Sequence, residues 1–253
     1  MKISVVIITY NEEKNIGRCI DSVKEVTDDI VVLDSFSTDK TKSIAESKNA
    51  KVVQQKFMGY GKTKHFATTL AQHDWILSLD ADEALDTALK NEILRLNESP
   101  DVGAYSMNRL NNYCGQWIRY GSWYPDTKIR LFNRKYFNWN DAEVHETVVP
   151  LSTNMKIGKL SGHILHYTVT SVEAHLAQAK KFATIAAQEA YNKGRKTNII
   201  VVLLSPVFKF LRDYVFKLGF LDGTNGFNIA FISAKAKYWK YKGLYQLQKS
   251  AVR

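Results

Sequence analysis

Cysteine is scarce in this chain of 253 residues. There are two, Cys19 and Cys114, and they make no disulfide framework. No Gly-x-Gly-x-x-Gly follows the first apolar run, and no Gly-x-x-x-x-Gly-Lys-Ser/Thr occurs anywhere. Those absences argue against a glycine-fingerprint dinucleotide fold and against a P-loop. Long apolar runs are missing too. The run at 199–204 soon meets Pro206 and Lys209 and is too short to span a bilayer. The apolar run at the N-terminus has no basic leader and reads as a strand, not a secretory signal. A reducing cytoplasm fits. No internal repeat or low-complexity linker is present. With 45% apolar residues, the chain can fill the core of one α/β domain plus an appendage.

What the chain does contain is a series of short apolar runs, each ending in a polar cluster. Residues 2–9 (Lys-Ile-Ser-Val-Val-Ile-Ile-Thr) predict a strand too apolar for a sheet edge. It breaks into Tyr10-Asn-Glu-Glu13. Ile16, Cys19, Ile20 and Val23 then fall at helical spacing on one face. A second strand at 30–33 ends in Asp34, and Ser37, Thr38 and Asp39 are N-cap candidates for the next helix. A third strand is expected at 51–53. Gly59-Tyr-Gly61 leads into a helix carrying Lys62, Lys64 and His65. The fourth run, Trp75-Ile-Leu-Ser-Leu79, ends in Asp80-Ala-Asp-Glu83.

Strand-helix alternation predicts a parallel sheet with right-handed crossovers. Thr9 to Glu12, Asp34, and Asp80 to Asp82 then share the carboxyl edge, where open α/β sheets bind ligands. Two acids one residue apart can direct hard oxygens at one divalent cation. Taken alone, such a pair is more often a solvated acidic turn. Three polar clusters on one edge suit a nucleotide: one carboxylate for a base N–H, another for ribose hydroxyls, and a metal site for the diphosphate. A diphosphate held through a metal rather than by a glycine loop points to nucleotide-sugar chemistry.

At this point the sequence resembles the GT-A-type inverting glycosyltransferases of family 2. The resembling pieces are Val5-Val-Ile-Ile-Thr-Tyr-Asn-Glu12, Val31-Val-Leu-Asp-Ser-Phe-Ser-Thr-Asp39 and Trp75-Ile-Leu-Ser-Leu-Asp-Ala-Asp-Glu83. Residues 121–134, Val144-His-Glu146 and Leu165-His-Tyr167 are similar to the branch that adds β-1,4-linked glucose to the lipopolysaccharide inner core. The chain departs from the family pattern at Phe36, where Gly is usual, and at His65, where Asn is common. The resemblance implies an α/β, Rossmann-like, mostly parallel sheet with helices on both faces, plus a C-terminal helical appendage. Residues 1–168 would be catalytic, with 1–100 holding the nucleotide sugar and 101–168 the acceptor and base; 169–253 would be the appendage. It further implies that Asp34 accepts the uracil N–H, and that Thr9, Tyr10, Asn11, Glu12, Lys64 and Arg130 contact the donor. Asp80 would face the ribose and the metal shell, Asp82 would ligate Mg²⁺ or Mn²⁺, and His166 would contact the metal or the diphosphate. Glu146 would be the general base.

Transfer with inversion is an in-line displacement at the anomeric carbon, with an oxocarbenium-like transition state. It needs a base for the acceptor hydroxyl and a cation for the leaving diphosphate. By spacing, Asp141, Glu143, His145 and Glu146 are all base candidates. If 142–149 is a strand, Val144, Glu146 and Val148 share a face. An apolar setting there would raise the pKa of Glu146; the alternative is a salt-bridged rim residue. His163 and His166 lie three apart on a short strand, so at most one joins the site. Arg130 reads as a diphosphate clamp or as the ion-pair partner of Asp126 or another acid. Lys62 and Lys64 either neutralise phosphate or are solvated.

Net charge is +10 and uneven, for residues 201–253 hold seven Lys and two Arg against two Asp. From 207 to 218, Lys209, Arg212, Asp213 and Lys217 project onto one arc of roughly 140°, with apolar residues filling the rest. That pattern suits a helix lying in an anionic membrane interface at the inner face of the cytoplasmic membrane. An ordinary helix packed on its own domain fits as well. Residues 171–192 predict a long helix, and 219–226 a turn-rich connector before a last helix from about Ile229. The expected activity is transfer of a hexose from a UDP-sugar, UDP-glucose favoured, to a lipopolysaccharide-core or lipid-linked glycan. Capsule or exopolysaccharide is the alternative acceptor. A basic nucleic-acid-binding protein is the rival outside enzymology. Carboxylates at three strand ends oppose it, and no nucleic-acid partner is expected.

Overall fold

The computed structural model describes residues 1–140, 146–151 and 154–250. In chain order the elements are β1 (Ile3–Thr9), α1 (Ile16–Val23), β2 (Asp29–Asp34), α2 (Thr41–Ser47), β3 (Lys51–Gln54), α3 (Tyr60–Thr69), β4 (Trp75–Asp80), β5 (Glu83–Leu85) and α4 (Thr87–Leu94). There follow β6 (Val102–Tyr113), β7 (Gln116–Trp117), β8 (Asp126–Asn133), β9 (Phe137–Trp139), β10 (Val148–Pro150) and β11 (Lys156–Val169). The C-terminal helices are α5 (Val172–Asn192), α6 (Ile199–Leu211) and α7 (Gly223–Ser250). The chain divides into two units, one of residues 1–110 and 126–167 and the other of 111–125 and 168–253. A single cut after residue 168 misses the excursion of 111–125 into the second unit.

The first unit is built on a sheet of strand order β3-β2-β1-β4-β8-β6-β11-β5. β3, β2, β1 and β4 are parallel. β4–β8, β8–β6 and β11–β5 pair antiparallel. The α/β class with helices on both faces therefore holds, but the sheet is mixed, its first four strands forming one parallel block. Parallel neighbours need crossover segments, and α1, α2 and α3 supply them between the first four strands.

All seven residues of β1 are buried, as expected of a strand covered on both faces. Successive side chains point to opposite faces. Val5 and Ile7 join one core with Ile16, Cys19, Ile20 and Val23 of α1 and Leu89 of α4. Val6 and Ile8 join the other with Ala67 of α3, Phe132 of β8 and Trp139 of β9. The buried face of α1 is the one its periodicity predicts. Each fully buried aliphatic side chain of this kind contributes about 1.5–3 kcal/mol, so β1 is a firm base for the loop that follows it.

In the second unit Ser171 caps α5, its Oγ accepting from the Ala174 N–H at 3.1 Å. Asn198 caps α6 in the same way through the Val201 N–H at 3.0 Å. Pro206 is accommodated inside α6, which passes into a π-helical turn at Arg212–Phe216 and a 3-10 turn at Gly219–Asp222. The last helix begins at Gly223, earlier than about Ile229. A Cβ on Gly226 would lie 1.9 Å from the Gly219 carbonyl oxygen, so glycine lets the two turns touch and the helix start inside the connector. Asp213 does not share a solvated arc with its basic neighbours. It is 1% exposed and ion-paired with Lys209 and Arg212.

Candidate active site

The register sets Thr9 beside Asp34 and Ile8 beside Asp80, so the three polar strand ends do meet on one edge of the first unit. The loops leaving β1 and β2 are tied to each other. Asn11 donates its N–H to Ser37 Oγ at 2.9 Å and accepts the Thr38 N–H at 2.8 Å. The Glu12 N–H donates to Thr41 Oγ1 at 2.8 Å. Asn11 adopts φ 53°, a left-handed conformation that Asn tolerates. Asp34 is fully buried and accepts from Ser37 Oγ at 2.5 Å and from Gln54 Nε2 at 3.0 Å. Its carboxylate organises the second loop. Phe36, where Gly is usual, takes φ 62° with its ring half exposed. The loop thus keeps a glycine conformation at a strain of about 1–2 kcal/mol.

A cavity of about 640 Å³ opens on this edge, lined by Thr9, Tyr10, Glu12, Ser35, Tyr60, Asp80, Asp82 and His166 among others. Among the described residues, the buried Thr9 Oγ1 has no hydrogen-bond partner. Asp82 Oδ2 lies 3.1 Å from His166 Nε2, and the Asp82 carbonyl accepts the Tyr167 N–H at 2.9 Å. His163 turns instead to Asp86, at 3.2 Å. Burial raises the pKa of Glu12; a bond from Asn15 opposes this, while Asp82 and Asp39 add to it. Among the described residues no three His, Cys, Asp or Glu side chains stand ready around one point. The Asp80 carboxylate is held by Lys64 and Arg130. Carboxylate oxygens with one imidazole and an unsatisfied hydroxyl are nonetheless the donor types that Mg²⁺ or Mn²⁺ takes, so the residues fit such an ion.

A second cavity of about 370 Å³ shares Asp80 with the first and is lined by Arg109, Lys128, Arg130, Trp139, Glu146 and Val148. Alternating charges cross its floor. Glu146 Oε1 lies 2.9 Å from Lys64 Nζ, which lies 2.9 Å from Asp80 Oδ1. Arg130 Nη2 reaches Asp80 Oδ2 and Glu83 Oε1, both at 3.0 Å. Arg109 joins Glu83 at 3.2 Å to Asp126 at 2.8 Å. Burial pushes the Asp80 carboxyl up, but Lys64 and Arg130 outweigh it and hold the group well below the usual carboxylate range. Burial likewise opposes the charge on Arg130, and Glu83 and Asp80 more than restore it.

Residues 4–155 match the family model described as Glycosyl transferase family 2. The chain belongs to this family. An uncharacterized glycosyltransferase of Rickettsia typhi is 34% identical over 97% of this chain and 87% of its own length. The lipopolysaccharide core biosynthesis glycosyltransferase LpsC of Rhizobium meliloti is 25% identical over 95% of this chain and 93% of its own length. Glucosyl-3-phosphoglycerate synthase from Mycobacterium tuberculosis, solved with Mn²⁺, UDP and glucosyl-3-phosphoglycerate, aligns over 44% of each chain at 25% identity. Its TM-score is 0.35, too slight a likeness to carry an argument.

Within this glycosyltransferase the site residues named from sequence separate into two groups. Thr9, Tyr10, Glu12, Asp82 and His166 line the first cavity, Arg130 and Glu146 line the second, and Asp80 lines both. Lys64 is 1% exposed, a buried bridge between Asp80 and Glu146 rather than a solvated lysine. Lys62 is exposed. Arg130 pairs with Asp80 and Glu83; Asp126 goes to Arg109 and Lys128 instead. Glu146 is salt-bridged; Val148 lines the same cavity, while Asp141, Glu143, Val144 and His145 lie outside the described residues. Sequence reasoning missed Glu83, whose side chain is wholly buried. It accepts the Asp80 N–H at 3.0 Å and so locks the turn that carries Asp82. Trp139 was missed as well, with Lys64 Nζ 4.7 Å from its ring centroid.

Proposed function

We propose that this enzyme is a metal-dependent, inverting hexosyltransferase. It moves a sugar from a UDP-sugar, UDP-glucose favoured, to a hydroxyl of a lipopolysaccharide-core or lipid-linked glycan. One observation carries the reading: Asp80 is the shared wall of two cavities, one with Asp82 and His166, the other with Glu146. An in-line displacement needs its leaving group and its base on opposite sides of one sugar, and two cavities meeting at one carboxylate supply that division. Lipopolysaccharide core is favoured because the Rhizobium meliloti relative bears that name. Glucose is favoured on the likeness of residues 121–134 and 165–167 to the inner-core glucose-adding branch.

In this reading the first cavity takes the nucleotide, with Thr9, Tyr10, Asn11 and Glu12 along the edge of β1 and Asp34 at the base. Asp82 and His166 hold Mg²⁺ or Mn²⁺, with Asp80 beside them. A cation there stabilises charge developing on the diphosphate. Glu146 takes the proton from the acceptor hydroxyl. Lys64 fixes the Glu146 carboxylate at 2.9 Å and ties it to Asp80, so base and donor pocket keep one geometry. Glu146→Gln is expected to cut transfer by roughly 10²–10⁴-fold while UDP-sugar binding stays near that of the parent. Transfer within a few-fold of the parent would remove Glu146 as the base.

The second unit supports a peripheral seat on the inner face of the cytoplasmic membrane. Phe208 is 67% and Phe216 78% exposed, with Ile200, Leu203, Leu204 and Leu221 also exposed on the same α6-to-turn segment. Lys209, Arg212 and Lys217 are interspersed among them. No helix among the described residues is long and apolar enough to cross a membrane. Apolar residues mixed with bases match an anionic interface.

A further inference from the structure

Among the described residues, Arg130 and Trp139, which line the second cavity, keep three buried N–H donors without an acceptor: Arg130 Nε, Arg130 Nη1 and Trp139 Nε1. Each unsatisfied buried donor costs about 1–3 kcal/mol, so three around one cavity demand a cause. The acids nearby are already engaged. Asp80 and Glu83 meet Arg130 through Nη2, Glu83 and Asp126 meet Arg109, and Glu146 meets Lys64. Lys128, on the same wall and partly exposed, pairs with Asp126 at 2.9 Å. Neither Arg130 nor Trp139 lines the first cavity, so these donors do not face the space assigned to the nucleotide.

We propose that the second cavity binds a carboxylate or phosphate carried by the acceptor, close to the hydroxyl that Glu146 deprotonates. The assignment to the acceptor rests on the transferase reading given above. The chemistry of the wall selects an anion over a neutral sugar. The orphaned groups only donate, and a carboxylate or phosphate oxygen only accepts, whereas each sugar hydroxyl brings a donor of its own. Bonds from a guanidinium to an anion are also shorter and about twice as strong as neutral ones. The acceptor is therefore an acidic or phosphorylated glycan, and its charge selects which hydroxyl comes to Glu146.

The chain has five tryptophans, so the indole N–H region of a nitrogen-labelled sample of the full chain is sparse, and Trp139→Phe assigns one signal. With UDP and Mg²⁺ saturating the first cavity, the sample is titrated with inorganic phosphate, glucuronate or glucose. The Trp139 indole signal should shift saturably with phosphate, glucuronate or both, and stay still with glucose. A response to phosphate alone names a phosphorylated acceptor; a response to glucuronate alone names an acidic sugar. Lys128→Ala should weaken the apparent affinity roughly three- to tenfold, as loss of one partly exposed charge contact does. A signal that no anion moves, in protein that binds UDP, overturns the proposal. If the signal responds but UDP does not bind, the anion site stands, and its assignment to an acceptor falls with the transferase reading.

Discussion

Glu83 joins the sheet to the catalytic turn, and its charge can be removed with almost no change of shape. Its carboxylate takes the Asp80 N–H at 3.0 Å, Arg130 at 3.0 Å and Arg109 at 3.2 Å, with no solvent exposure. Glu83→Gln leaves one acceptor oxygen and turns the other position into a donor facing a donor. It also leaves one positive charge uncompensated in the buried chain. Removing one partner of a buried ion pair costs about 3–5 kcal/mol. At about 2–4 °C per kcal/mol for a unit of this size, the melting temperature should fall by roughly 10 °C, read by differential scanning calorimetry. Adding Arg109→Met should recover part of the loss, because the second substitution removes the charge that the first strands. A fall of less than about 2 °C for Glu83→Gln would refute the view that this acid holds the Asp80–Asp82 turn.

Burial keeps the Glu12 carboxyl above its ordinary 4.5. A raised carboxyl contributes stability below the unfolded value and loses it as pH rises through the folded one. Glu12→Gln should therefore be the more stable protein at pH 7 in urea unfolding and should converge on the parent below about pH 4.5; a less stable variant at pH 7 contradicts this. Phe36→Gly removes the left-handed strain at the loop after β2 and should add up to about 1 kcal/mol, seen as a higher urea midpoint; a clear loss would mean that the ring itself holds the loop. Sedimentation with phosphatidylglycerol vesicles should capture the full chain in a salt-sensitive way, while phosphatidylcholine vesicles should not. Phe208→Asp or Phe216→Asp should weaken capture by tenfold or more, since each buried Phe is worth about 2–3 kcal/mol. Capture unchanged by both substitutions would move any membrane contact elsewhere.

The parallel part of the fold was legible because each strand and helix announces itself locally. β1 is β-branched and apolar throughout, and α1 shows one clean apolar face, so the sheet edge carrying Thr9, Asp34 and Asp80 followed from sequence. The antiparallel part was not, because pairing such as β4 with β8 joins residues far apart in the chain with no local signature. The excursion of 111–125 was hidden for the same reason. At the site, residue types were readable and partners were not. Lys64, Arg130 and Glu83 look like ordinary surface charges in sequence, and only the fold shows them neutralising one another in a buried row. The burial of Asp213 was invisible to a helical projection, which places side chains on an arc without showing what covers it.

The central claim is that the carboxyl edge of β1 and β4 holds a UDP-sugar through a divalent cation. The direct test is UDP release from a panel of UDP-sugars, with Mn²⁺ or with EDTA, for the parent and Asp82→Ala. The account predicts metal-dependent release from one sugar, abolished by EDTA and by the substitution. No release from any sugar, together with no UDP binding by calorimetry, would contradict it.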